Sequence, residues 1–153
     1  MNERVMSAAR KLGLEVAMTT FDRPTRTVDE AAAAVGCQPQ QIAKSIVFVV
    51  DGEPVVVVAS GGRRIDPAAV CDVFDSAEAR AASPEEVRAA TGFSPGGVPP
   101  FSHGLPLVID RGLLDEGHVW AAGGDGNTVF EVDARELAKC THAIVAPVGQ
   151  ELG

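Results

Sequence analysis

At 153 residues, with 46% hydrophobic and 22% charged side chains, the chain has the size and composition of a single globular domain spanning residues 1–153. No apolar run reaches the roughly 20 residues of a bilayer span, and Met1-Asn2-Glu3-Arg4 is unlike a signal peptide, so a cytoplasmic protein with no membrane partner is expected. A net charge of −8 argues against DNA and against any long electrostatic nucleic-acid groove.

In chain order, Val5, Met6, Ala9 and Leu12 recur at helical spacing over residues 2–12, and Gly13 follows as the stop. Glu15 to Phe21 is a predicted short strand, and Asp22-Arg23-Pro24-Thr25-Arg26 a turn. Thr27-Val28-Asp29-Glu30 has the form of a capping box for an alanine-rich helix closed by Gly36. Pro39-Gln40-Gln41 makes a helical turn leading into Gln41 to Val50, where seven of ten side chains are apolar and β-branched residues dominate. That stretch does not alternate, so both faces of the strand should be covered. Asp51-Gly52 is a hairpin turn, and Pro54 to Ala59 returns as a second valine-rich strand. Ser60-Gly61-Gly62-Arg63-Arg64 reads as a flexible loop.

Asp66 and Ser83 each precede a proline and cap the next two helices, the second ending at Gly92. A loop rich in Gly and Pro runs from Gly92 to Gly104. Strands are predicted over Leu105 to Asp110, His118 to Ala122 and Thr128 to Val132, then a helix capped by Asp133 and a closing strand over His142 to Val148. Interleaved helices and hairpins predict an α+β fold with a mixed sheet wrapped by helices.

The only charge in the first valine-rich strand is Lys44. A buried ammonium costs several kcal/mol or loses its proton. On spacing alone, a strand-end lysine reaching water and a site lysine both fit. Cys37, Cys71 and Cys140 are widely separated, as are His103, His118 and His142. Neither set has disulfide or metal-ligand spacing, so buried reduced thiols, no metal and no cofactor are expected. Residues 1–64 carry eight Lys/Arg against seven Asp/Glu, while residues 65–153 carry five against fourteen. A small positive mouth around Lys44, Arg63 and Arg64 is compatible with that distribution.

Three features occur together: the Lys44 strand, the loop Gly96-Gly97-Val98-Pro99-Pro100, and Val119 to Gly124 followed by a strand and a capped helix. Over about residues 25–148 the chain resembles the YbaK/ProX family of aminoacyl-tRNA deacylases, which includes the editing domain of bacterial prolyl-tRNA synthetases. The resemblance implies a largely antiparallel mixed sheet curled into a partly closed barrel. It also implies trans-editing: hydrolysis of the ester joining a wrong amino acid, with Ala or Cys on proline tRNA foremost, to the tRNA acceptor end. The candidate catalytic residues are then Lys44, Gly96 and Gly97. Glycines let the backbone approach the substrate, and backbone N–H donors stabilise a developing oxyanion. Lys44 would position the terminal phosphate or polar end as a point charge, or act as a base; positioning is favoured.

Val98, Pro99, Pro100, Ser60, Gly61, Arg64, Gly123 and Gly124 are candidate substrate contacts. Ser45, Trp120 and Phe21 read as packing residues, and Arg23 as surface. Where many relatives carry a basic residue after the glycine pair, this chain has Asp125-Gly126-Asn127, which would repel phosphate if it faced inward. No Ser-His-Asp or Cys-His arrangement suggests a covalent intermediate. A docked aminoacyl-tRNA synthetase is a further expected partner. The alternatives are a non-catalytic nucleotide- or aminoacyl-binding module and a synthetase-docking protein of the same fold.

Overall fold

The computed structural model describes residues 2–152. Its helices are α1 (Asn2–Leu12), α2 (Val28–Val35), α3 (Pro67–Phe74), α4 (Pro84–Thr91) and α5 (Ala134–Thr141). Its strands are β1 (Met18–Thr20), β2 (Ile42–Val50), β3 (Glu53–Ser60), β4 (Arg63–Ile65), β5 (Ala79–Ala81), β6 (Leu107–Asp110), β7 (His118–Ala122), β8 (Thr128–Asp133), β9 (Ile144–Ala146) and β10 (Gly149–Glu151).

Local chemistry accounts for most helix ends. Thr27 and Ser83 form reciprocal capping boxes with Glu30 and Glu86, and Asp66 and Asp133 accept from the first turns of α3 and α5. Gly36 and Gly92 end α2 and α4 in the left-handed conformation.

The main sheet runs β1-β8-β7-β2-β3-β6-β9, with β5 also paired to β2, and β4 and β10 form a separate ribbon. Five of the eight pairings are antiparallel; β2/β7, β3/β6 and β6/β9 are parallel. This is the expected α+β fold around a mixed sheet. It is not a closed barrel, since β1 and β9 end the order without pairing each other.

The valine run of β3 explains the layering. Val56 and Val58 enter one core with α1, α4, α5 and the Phe93–Phe101 loop, while Val55, Val57 and Ala59 enter another beneath α3. Each buried Val contributes about 1.5–3 kcal/mol, so a strand dry on both faces needs no polar alternation. A smaller cluster joins α2 to Ile42 and Trp120.

Several expectations need correction. The first strand is only Met18–Thr20 rather than Glu15 to Phe21. Ser60 to Arg64 is not a flexible loop: Gly61 and Gly62 make a turn, and Arg63 and Arg64 belong to β4. The closing strand covers only Ile144–Ala146 (β9) rather than His142 to Val148, and β5, β10 and the 3-10 turn Arg111–Glu116 are elements the sequence does not predict. The three cysteines are free but half-buried rather than buried. Among the described residues no helix is long and apolar enough to cross a membrane.

Candidate functional site

The site is built on an interruption in the sheet. β3 pairs with β2 from Ala43 to Val50. On the other edge β2 meets β7 only at Ile42 and Ala43, and β5 only at Phe48 to Val50. Lys44 to Ile46 therefore have no strand partner there. The gap opens into a cavity of about 210 Å³ lined by consecutive residues of β2. It is lined by the Thr25–Val28 segment, Ile42 to Ile46, Gly96, Val98, Trp120 to Ala122 and Val129, with Ala31 of α2. Among the described residues Arg26 and Lys44 are its charged ones, and no carboxylate lines it.

Lys44 is half-buried and its Nζ donates to the main-chain oxygen of Arg63. Burial pushes its pKa below the ordinary lysine value. No carboxylate lies within ion-pair distance of it among the described residues. The amine is thus held by a neutral acceptor and has no carboxylate partner among the described residues.

The Gly-Pro loop is stapled at both ends. Thr91 Oγ1 donates to Val87 O (2.7 Å) and accepts from Phe93 N (3.0 Å). His103 Nδ1 accepts from Leu105 N at 3.1 Å, so its proton sits on Nε2, 3.3 Å from Pro100 O. Burial pushes the His103 pKa down, which favours this neutral tautomer. Gly96 has φ +81°, and a Cβ there would lie 2.6 Å from Arg26 O, so the loop presses directly on the segment before α2. A Cβ on Gly126 would overlap the Arg26 guanidinium, which therefore lies against the Asp125–Asn127 turn.

The structure brings Lys44, Gly96 and Val98 together at the cavity. Gly97 is adjacent, but its N–H is already donated to Ser94 O at 2.9 Å. Pro99 and Pro100 are buried behind the loop and do not line the cavity. Ser60, Gly61, Arg64, Gly123 and Gly124 do not line it either. Ser60 is fully buried and its hydroxyl donates to Gln40 O at 2.7 Å. A Cβ on Gly61 would overlap Val28 and Pro39, and one on Gly123 would come 3.0 Å from Met18 and Thr128, so packing accounts for both. Arg64 is exposed and pairs with Gln150 across the β4–β10 ribbon.

Asp125 is turned into its own loop, where Oδ1 accepts from Asn127 N at 3.1 Å. The second cation lining the cavity is Arg26, from the turn before α2, which the sequence does not single out. Ser45 and Trp120, expected to be packing residues, line the cavity. The hydroxyls of Ser45 and Thr25 are buried without a protein partner. The Thr25-Arg26 pair just before a capping box was the available signal, because the cap fixes where those side chains emerge.

Fold and site define a class: an α+β domain with a small, apolar-walled cavity whose charged groups are both cationic, suited to the end of a larger anionic ligand. The chain belongs to the aminoacyl-tRNA editing domain family, whose model matches residues 22–140. It is 34% identical over 125 residues to the uncharacterized protein YwhH of Bacillus subtilis (strain 168), covering 80% of this chain and 79% of that one. It is 30% identical over 148 residues to the proline–tRNA ligase of Solidesulfovibrio magneticus, covering 83% of this chain but only 26% of the ligase. A solved structure described as "a putative trans-editing enzyme for prolyl tRNA synthetase" superposes with a TM-score of 0.88 at 38% identity, covering 99% of this chain and 97% of that one.

Proposed function

We propose that the protein is a trans-editing hydrolase that cleaves the ester of mischarged aminoacyl-tRNA, with alanine or cysteine on proline tRNA as the first candidates. The observation that carries this reading is the convergence of Lys44, Gly96 and Val98 on one small cavity with no carboxylate in its wall. Pockets for drug-sized ligands measure about 300–1,000 Å³, so a cavity of about 210 Å³ suits a terminal aminoacyl group and not a whole nucleotide.

In this reading the ester carbonyl sits against the Gly96–Val98 backbone. The Gly96 and Val98 N–H groups have no acceptor among the described residues, whereas that of Gly97 is taken. The two free donors stabilise the oxyanion that forms when water attacks the ester carbon. The bond to the ribose oxygen then breaks, and that oxygen leaves with a proton. Lys44 positions the polar or phosphate end as a point charge so that the ester carbon is in line for attack, a role felt in the rate. Arg26 instead binds phosphate, a role felt in KM. The small wall formed by Ala43, Ala121, Ala122 and Val98 limits the amino acid by size. Discrimination of one methylene is only about 10- to 200-fold through binding, which is why a second, hydrolytic site serves fidelity. A synthetase that hands over the tRNA is the partner this acidic chain calls for.

The test is a panel of alanyl-, cysteinyl-, seryl- and prolyl-tRNA for proline. Release of one mischarged residue with prolyl-tRNA spared supports the reading and names the substrate. A flat panel at high enzyme refutes it for these substrates and favours a binding module.

A further inference from the structure

The carbonyl that holds Lys44 belongs to a residue whose side chain is locked elsewhere. Asp110, at the end of β6, is fully buried. Its Oδ1 accepts from Val148 N (3.0 Å) and Gly149 N (2.8 Å). Its Oδ2 lies 3.0 Å from Arg63 Nε, an ion pair whose angle falls short of a hydrogen bond. Arg63 Nη2 donates to Gly149 O at 2.9 Å, and β10 pairs with β4 through Glu151 and Arg63. The room for this arrangement depends on glycine: a Cβ on Gly149 would overlap the Asp110 carboxylate, and one on Gly112 would come 3.0 Å from its Oδ2.

We propose that the Asp110–Arg63 pair is a positioning device for Lys44, fixing the Arg63 backbone so that its carbonyl oxygen sets where the amine stands in the cavity. The proposal rests on the role given above to Lys44. A buried ion pair adds little net stability over apolar side chains of equal volume. What it adds here is direction. Arg63 is gripped by its guanidinium on one side and by the β10 ladder on the other, and its remaining main-chain acceptor is turned toward Lys44. Asp110 and Arg63 do not line the cavity themselves, so they act through the lysine.

The chain has three lysines, so in protein labelled at the lysine side chains Lys44 is assigned by its loss in Lys44→Met. The variants are Asp110→Asn and the apolar double variant Asp110→Leu/Arg63→Met, each read by the Lys44 side-chain NMR signal and by single-turnover deacylation. A misplacement of about 1 Å can cost up to about a hundredfold. The expected result is a shifted Lys44 signal and a rate at saturating substrate lowered about tenfold, corresponding to about 1.4 kcal/mol, with KM almost unchanged. The double variant should melt at or above the temperature of Asp110→Asn and still lack the wild-type signal and rate. Should Asp110→Asn fail to fold, the double variant decides by the same readouts. A folded variant with the wild-type Lys44 signal overturns the proposal, as does one with the wild-type rate. If no aminoacyl-tRNA is cleaved by the wild type, the deacylase reading fails and the Lys44 signal alone decides this one.

Discussion

Gly96→Ala should destabilise the protein far more than its single added methyl suggests. Gly96 has φ +81°, and the new Cβ would lie 2.6 Å from Arg26 O and 2.8 Å from Arg26 Cβ. The left-handed conformation costs a residue with a Cβ about 1–2 kcal/mol. Overlap with backbone atoms that cannot rotate away adds about 1–3 kcal/mol. The sum is about 2–5 kcal/mol, or a Tm lower by about 4–20 °C for a chain of this length. Gly104→Ala is the matched control, because Gly104 has φ +71° but nothing within 4 Å of the built Cβ. It should lose only the conformational part, about 1–2 kcal/mol. Thermal melts and urea unfolding of the two variants, with unchanged m-values, isolate the contact between the loop and Arg26. A Gly96→Ala loss no larger than that of Gly104→Ala would refute the close approach that builds this wall of the cavity.

Lys44→Met should raise Tm at neutral pH while abolishing deacylation. Burial lowers the Lys44 pKa in the folded state, so the unfolded chain binds that proton more tightly. The cost of the charged amine is therefore full below the folded-state pKa and fades as pH rises toward the unfolded value of about 10.4. The gain in Tm should shrink accordingly; a constant gain up to about pH 10 contradicts the argument. Arg26→Gln should raise KM for aminoacyl-tRNA by about tenfold or somewhat more, because a charged hydrogen bond contributes about 1.5–3 kcal/mol and tenfold is about 1.4 kcal/mol. The effect should fade with added salt while kcat holds; a salt-independent KM would remove Arg26 from the phosphate. Phe130 is fully buried and its ring centroid lies 5.6 Å from that of Phe101, so Phe130→Ala should cost about 3–5 kcal/mol by urea unfolding. A cost below about 1 kcal/mol would mean that the core beneath the loop is not packed as described.

Features decided within a few residues could be read before the fold was known. The capping boxes at Thr27 and Ser83, the Asp51-Gly52 turn and the two-sided valine strands all follow from local spacing. What could not be read depends on distant partners. β5 is Ala-Arg-Ala, with no strand-forming residue, and is extended because the far edge of β2 needs hydrogen bonds. β10 is Gly-Gln-Glu and is held by Asp110 and Arg63, neither of them near it in sequence.

The site divides the same way. Lys44 stood out as a charge in an apolar strand, and Gly96 and Val98 belong to a loop with a recognisable pattern. Ser45 was set aside because adjacent strand residues point to opposite faces. That inference assumes an unbroken sheet, and the cavity lies where β2 loses its neighbour, so consecutive residues of the open strand edge line it. Ser60 and Gly61 are candidate ligand contacts because they sit where the second valine-rich strand ends, and Gly123 and Gly124 because they occupy the place of the family's small-residue loop. In the structure steric demands from Val28 and Pro39 explain Gly61, and those from Met18 and Thr128 explain Gly123.

The most direct measurement is single-turnover hydrolysis of alanyl- and cysteinyl-tRNA for proline by the wild type and by Lys44→Ala, with prolyl-tRNA as the spared control. The wild type should release at least one mischarged amino acid and leave prolyl-tRNA intact, and a folded Lys44→Ala should be slower by at least about a hundredfold, the size of effect of a misplaced or missing positioning group. Equal rates for the wild type and a folded Lys44→Ala would contradict this role, because the chemistry would then not run through the lysine cavity.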